Sequence, residues 1–292
     1  MDREAFYAAA KDLQQRPEFD AAARGFAGNM LDVFSACPPL NKLLRSEGQL
    51  AFVAFILMLN QTRNPDDPDS GATYSRLVEM FSMQGLGSPT LIRAIVALAQ
   101  LRGQVRYVPT KDKRIKALEP TETMMEILRV WFRSNLEAVQ RIEPLPRPVE
   151  ELVVMPGLLE MTFTYSIQAY LHDHFILPES VPQLRAFMQR NHGYLVMMKL
   201  IKTKHRSADG RLLASVPVES LASRITLTRG TVRNVLNMAL DQGWIKRIER
   251  GGHEVELSDE FVDICDKWMG LEFVFMAGRL RVAYATLTGI AV

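Results

Sequence analysis

TRGTVRNVLNMALDQGWIKRI, residues 228–248, decides how the chain is read. Thr228 is suited to cap a helix, because its hydroxyl accepts from an unpaired amide of the first turn. Val232, Val235, Leu236, Ala239 and Leu240 follow at helical spacing and form one apolar stripe. Arg229, Arg233 and Asn237 stand four apart and form a second stripe of long or amide side chains. Gly243 falls where a helix end calls for a left-handed residue, and residues 245–249 read as a strand. Such a helix needs a scaffold that buries the first stripe and leaves the second in water.

The same scaffold is written earlier in the chain. In SPTLIRAIVALAQLRGQVRYV (88–108), Arg93, Gly103, Val105 and Val108 stand 140 positions before Arg233, Gly243, Ile245 and Ile248. TYSRLVEMF (73–81) matches PVESLASRI (217–225) at a separation of 144, so the first copy carries an insertion, placed around residues 84–87. GQLAFVAFILMLN (48–60) aligns with GYLVMMKLIKTKH (193–205). Each copy reads as an apolar helix, a short helix, a turn, a longer helix ending near glycine, then two strands. The strands are 105–109 and 114–118 in the first copy, 245–249 and 253–257 in the second. Polar turns PTKDK and RGG join them. This order predicts a mainly α protein with small β-wings, two tandem winged helix-turn-helix modules arising by internal duplication. With two copies the repeat is not a solenoid.

Outside the copies, residues 4–35 read as one or two helices, 124–141 as a long amphipathic helix and 150–177 as apolar helix interrupted at Pro156-Gly157. Residues 181–190 form a short helix, and a final helix runs from Asp259 to about Thr286. The stretch EPLPRP (143–148) is rich in proline. The expected division is therefore a first module over 1–142, a hinge over 143–149 and a second module over 150–292. The flanking helices are expected to join the two modules as a pseudo-dimer.

Composition excludes several classes. Of 292 residues, 48% are hydrophobic, enough to bury a core and too many for a disordered chain. The net charge of +2 neither requires nor forbids nucleic-acid binding, since a local basic surface matters more. The two cysteines, Cys37 and Cys265, suit neither a disulfide scaffold nor a thiolate zinc site and read as small core residues. MDREAFYAAAKDLQQ lacks a signal peptide's unbroken apolar region. The apolar run at 50–59 falls well short of the ~20 residues that span a bilayer. A soluble, cytoplasmic protein with no membrane contact is expected.

In a helix-turn-helix the second helix enters the major groove. Val232, Val235, Leu236 and Ala239 would hold this helix on its module, leaving Arg229, Gly230, Arg233, Asn234 and Asn237 outward. Arginine pairs bidentately with guanine and asparagine with adenine. Thr228 and Thr231 suit phosphate, as do Lys246, Arg247 and Arg250 of the wing. The plain alternative is a solvated helix face that binds nothing. The first copy has Pro89, Arg93 and Ala97 where the second has Arg229, Arg233 and Asn237. Its wing, however, carries Lys111, Lys113, Arg114 and Lys116 against Asp112, which suits phosphate contact without sequence preference. The first module is thus expected to anchor, or to bind protein, while the second reads bases. Two modules on one duplex would sit about 34–36 Å apart.

TRGTVRNVLNMALDQGWIKRI resembles the recognition helix and first wing strand of bacterial winged-helix regulators, especially the MarR group; its Thr-Arg-x-Thr-Val-Arg pattern also looks like GntR-type regulators. The resemblance implies a sequence-specific regulator of transcription acting on double-stranded DNA, relieved by a small-molecule effector between winged and flanking helices. Ordinary MarR members are homodimers of one module, whereas this chain carries two; association of two chains is a further expectation. Met161, Phe163 and Tyr165, with other methionines and aromatics nearby, are candidates to line an effector cavity, or equally adaptable core.

Two further readings remain. One is a winged-helix interaction or chromosome-segregation scaffold subunit, favoured by the near-neutral charge and the apolar first-copy helix. The other is a plasmid replication initiator. Enzymatic chemistry is not expected, nor any cofactor or metal. His172 and His174 lie two apart, which on a helix points their rings to different faces. SMQGLGSPT (82–90) lacks the lysine and preceding strand of a phosphate loop.

Overall fold

The structure is a computed structural model describing residues 3–36, 47–64, 66–67, 70–110, 112, 114–172, 181–189, 193–225, 227–247 and 253–290. Lys111, Lys113, Arg250, Cys37, Asp173, His174 and His192 lie outside the described residues. The chain is mainly helical, with two small antiparallel sheets. In order its elements are α1 (Arg3–Gln14), α2 (Phe19–Ala36), α3 (Glu47–Gln61), α4 (Tyr74–Met83), α5 (Pro89–Leu101), β1 (Val105–Pro109), β2 (Lys116–Pro120) and α6 (Glu122–Val139). Next come α7 (Val149–Val154), α8 (Leu158–His172), α9 (Pro182–Gln189), α10 (Gly193–Thr203), β3 (His205–Arg206), β4 (Leu212–Ser215) and α11 (Val218–Arg224). The last are α12 (Arg229–Asp241), β5 (Ile245–Arg247), β6 (Glu254–Leu257) and α13 (Asp259–Thr288).

Two compact units result, and each is discontinuous in sequence. One comprises Met1–Asn41, Arg133–Val149 and Ile176–Gly278; the other comprises Lys42–Phe132, Glu150–Phe175 and Arg279–Val292. The sequence predicts a single cut at 143–149. Instead, α6 and α13 each contribute residues to both units, and the helices ahead of each copy are exchanged. Helix α2, which precedes the first copy, packs against α10 of the second; α8, which precedes the second, packs against α3 of the first.

The unit holding the second copy has a four-stranded sheet in the order β3-β4-β6-β5. Its core gathers Trp244 stacked on Phe261 at 5.5 Å, with Phe187 edge-on to both. Phe19 and Phe26 of α2 meet Phe273 edge-on at 6.2 and 5.6 Å. Each fully buried phenylalanine contributes about 2 kcal/mol by leaving water. At the edge of this core the Lys204 ammonium lies 3.0 Å from Asp20 and 3.4 Å from Asp266. That lysine ties α2 and α13 to the end of α10.

The unit holding the first copy has a two-stranded sheet, β1-β2. Where the other unit has β4, this one has an isolated bridge, Thr73 to Ala117, and a hydrogen bond donated by the Leu118 amide to the Ala72 carbonyl. The Asn60 amide donates to the Leu118 carbonyl at 2.9 Å, closing more of the strand edge. Phe55 meets Phe81 edge-on, and Trp131 lies 5.5 Å from Phe163.

The copies end their long helices alike. Gly103 and Gly243 take φ of 65° and 71°. In each, the glycine amide and the next amide donate back to two helix carbonyls: Gly103 to Gln100 and Gln104 to Ala99, Gly243 to Leu240 and Trp244 to Ala239. This double closure requires the left-handed residue that the sequence predicts. The strands are shorter or shifted: β2 begins at Lys116 rather than Arg114, and β6 at Glu254. Helix α6 starts two residues earlier than its periodicity predicts. The extra residues of the first copy mostly lengthen a helix, α4 having ten residues against seven in α11, rather than enlarging the turn.

Candidate nucleic-acid interface

Thr228 is the cap of α12. Its hydroxyl oxygen accepts from the Thr231 amide at 3.0 Å and lies 2.9 Å from the Thr231 hydroxyl. A cap of this kind stabilises a helix by about 1 kcal/mol. It also commits both threonine hydroxyls to each other, leaving less of either for phosphate. From this start the helix phase is fixed. Val232, Val235, Leu236 and Ala239 are buried, and Arg229, Arg233, Asn234 and Asn237 are exposed. The structure thus brings the four expected readers onto the solvent side of one helix.

Two of the four have partners from other elements. The Arg229 guanidinium is 2.9 Å from the Glu219 carboxylate in the first turn of α11. The Arg247 guanidinium, on β5, donates to Asn237 Oδ1 at 2.9 Å. Because a guanidinium only donates, this contact sets which end of the Asn237 amide faces β5. Lys246 sits opposite Glu256 in the strand register. Arg247 turns toward α12, and neighbours in a strand point to opposite faces, so Lys246 is directed away from the readers.

The first copy is built differently on its outer side. Ser88 caps α5, and Pro89 occupies its first turn. Arg93 is exposed but lies over the Tyr74 ring at 5.7 Å, and the Tyr74 hydroxyl donates to the Pro89 carbonyl at 2.8 Å. Around Arg93 the exposed residues are Thr90, Leu91, Ala94, Ala97 and Leu101. In the wing, Arg114 is exposed, its amide bound to the Asp112 side chain, and Lys116 lies over the Tyr107 ring at 5.7 Å. Arg106 faces Glu119, which also pairs with Arg63.

Met161 and Tyr165, four apart on α8, share one face of it, and Phe163 between them turns to another. Phe163 packs on Trp131, and the Tyr165 hydroxyl is 2.9 Å from that of Thr286. Cys265 is buried, as a small core residue should be, and burial pushes its thiol far above the ordinary range. Such a thiol is a poor nucleophile. No group of three potential metal ligands occurs among the described residues. No helix among them is long and apolar enough to cross a membrane.

Glu219 is not singled out by the sequence, nor is the β3-β4 hairpin. The hairpin does leave a signal: Asp209-Gly210 between two runs of strand-forming residues, with Gly210 at φ 86°. Glu219 leaves none, since an acidic residue in the first turn of a helix is accounted for by the helix dipole alone.

Comparison of the chain with protein-family models, with curated proteins and with solved structures gave no match.

Proposed function

We propose that this chain is a sequence-specific double-stranded DNA-binding regulator of transcription, built of two MarR-like winged-helix modules, with α12 reading bases and the first module anchoring. The observation that carries the reading is the stripe Arg229, Arg233, Asn234 and Asn237, exposed on a helix whose opposite stripe is buried. Elements around it support this: α11 and α12 form a helix-turn-helix, and β4, β6 and β5 lie side by side in the order a winged helix uses. The matching caps and glycine closures of α5 and α12 support an internal duplication. Arg114 and Lys116 are the described residues of the first wing that suit phosphate.

The test is binding of the full chain to a pool of random duplexes across a range of salt. Several phosphate contacts give a steep fall of affinity with salt, and selected duplexes should share a site. Replacing Arg229 and Arg233 by alanine should abolish preference for that site. Salt-independent binding, or a preference untouched by both changes, rejects the reading.

A second reading is supported by the face of α5. Leu91, Ala94, Ala97 and Leu101 are exposed there, Leu101 at 85%. An apolar helix face suits protein better than phosphate. In that reading the chain is an interaction scaffold, and neither Arg229 nor Arg233 affects binding to any duplex.

A further inference from the structure

If α12 reads bases, as proposed above, the contacts of Arg229 and Asn237 say how its readers are aimed. We infer that Glu219 and Arg247 are positioning residues that set what α12 reads, and that Arg247 is not itself a phosphate contact. Arg229 and Asn237 both stand in water, where a long or amide side chain otherwise samples several rotamers. Each is held by a group from a different element: Glu219 from α11 at 2.9 Å, Arg247 from β5 at 2.9 Å. An exposed ion pair adds little to stability. Its effect here is to orient a planar fork of donors before the base arrives, so less freedom is lost in the complex.

For Asn237 the consequence is more specific. With Arg247 donating to Oδ1, the two Nδ2 hydrogens have no partner among the described residues and lie on the exposed helix face. The amide therefore presents donors first, toward an acceptor such as N7 or O6 of a purine in the major groove. Without Arg247 the amide turns freely and the preference relaxes. The Arg247 guanidinium is committed within the protein, and the charge that Glu219 places beside Arg229 opposes unselective attraction to phosphate.

The test compares the selected duplex with a scrambled one for the full-length wild type and for E219Q, R247A, R247K, N237A and the N237A/R247A double variant, with each salt slope recorded. E219Q should bind scrambled duplex as tightly as wild type or more so, while its preference for the selected site falls about three- to tenfold, part of what a full bidentate contact provides. R247A should lose preference as N237A does, the double variant should lose no more than either, and the salt slopes should match wild type. R247K keeps the charge but not the planar fork, and should not restore the preference. If R247A instead weakens both duplexes alike and lowers the salt slope by about one, or R247K restores wild-type behaviour, Arg247 is a phosphate contact and the inference fails. It fails equally if E219Q raises affinity for both duplexes by the same factor. In both cases wild-type site preference survives, which separates these failures from a chain that shows no salt-dependent duplex binding at all.

Discussion

On α12 the solvent side carries Arg229, Arg233, Asn234 and Asn237; on α5 the matching positions carry Pro89, Arg93, Ala94 and Ala97. Beneath, the helices agree. Ile92, Val96 and Ala99 are buried in one, Val232, Leu236 and Ala239 in the other. Both begin at a hydroxyl cap and end in the same glycine closure. The difference teaches that the packing stripe and the outer stripe of a helix are separate constraints. The buried positions answer to their own core, where a changed volume costs stability at once. The outer positions answer only to what meets them, and here they share little beyond one arginine.

The sharpest contrast between the copies lies just past these helices, where Trp244 in one stands for Gln104 in the other. Trp244 is stacked on Phe261 and touches Phe187, so W244A should cost about 3–5 kcal/mol. A denaturant titration of the full chain reads this directly. A loss below about 1 kcal/mol would show that the aromatic cluster does not hold the second copy together. Next in size is the arginine pair at matching positions. R233A should lower preference for a selected duplex by about 1–3 kcal/mol, as the loss of a bidentate base contact does. R93A, whose guanidinium lies over Tyr74, should change site preference by less than a few tenths of that. Equal effects in competition binding would erase the proposed division between reading and anchoring.

What could be read in advance is local. Thr228 as a cap, Gly103 and Gly243 as terminators and the 3.6-residue stripe of α12 each depend on neighbours a few residues away. The exchange of α2 and α8 between units could not be read. Their buried residues are mostly alanine, leucine and phenylalanine, and an apolar stripe does not name the stripe it will meet. The candidate site divides the same way. The outward stripe of Arg229, Arg233 and Asn237 followed from spacing. The contacts from Glu219 and Arg247 come from α11 and β5, whose placement against α12 no spacing within the helix gives.

A third pair of matching positions lies on the long helices that follow the wings. Asn135 of α6 is buried, and the corresponding place on α13 holds Glu272, half-buried near Tyr194. Burial pushes the Glu272 carboxyl from its ordinary 4.5 up to about 7. Burial and the Glu272 charge together push the Tyr194 hydroxyl upward. The folded state then holds a proton that the unfolded chain has released. Stability from this group is fully present below pH ~4.5 and is lost as pH rises through about 7. E272Q keeps the shape and removes the titration. Allowing for partial exposure, it should be more stable than wild type by on the order of 1–2 kcal/mol at pH ~8, with the difference shrinking toward pH ~5. Melting both proteins at several pH values checks this; a constant difference would place Glu272 in better solvent contact than its surroundings indicate.

The smallest expected effect returns to Gln104 and has the opposite sign to that at Trp244. Gln104 is 1% exposed, and its side-chain nitrogen has no hydrogen-bond partner among the described residues. Its backbone, by contrast, is fully used: the amide closes α5 and the carbonyl accepts from both the amide and the hydroxyl of Thr121. The side-chain nitrogen therefore occupies a core position with its donors unpaired among the described residues. A buried donor left unpaired costs about 1–3 kcal/mol. Q104L fills a similar volume with no donor to satisfy, and should raise the stability of the first copy by about 1 kcal/mol after the change of shape is allowed for. The backbone bonds that end α5 do not involve the side chain and should survive. Hydrogen exchange at the Gly103 and residue 104 amides separates the two contributions: both should exchange more slowly in the variant. A variant that melts lower and exchanges faster would show that the amide group is holding the helix end, and that the first copy uses a polar contact where the second uses an aromatic stack.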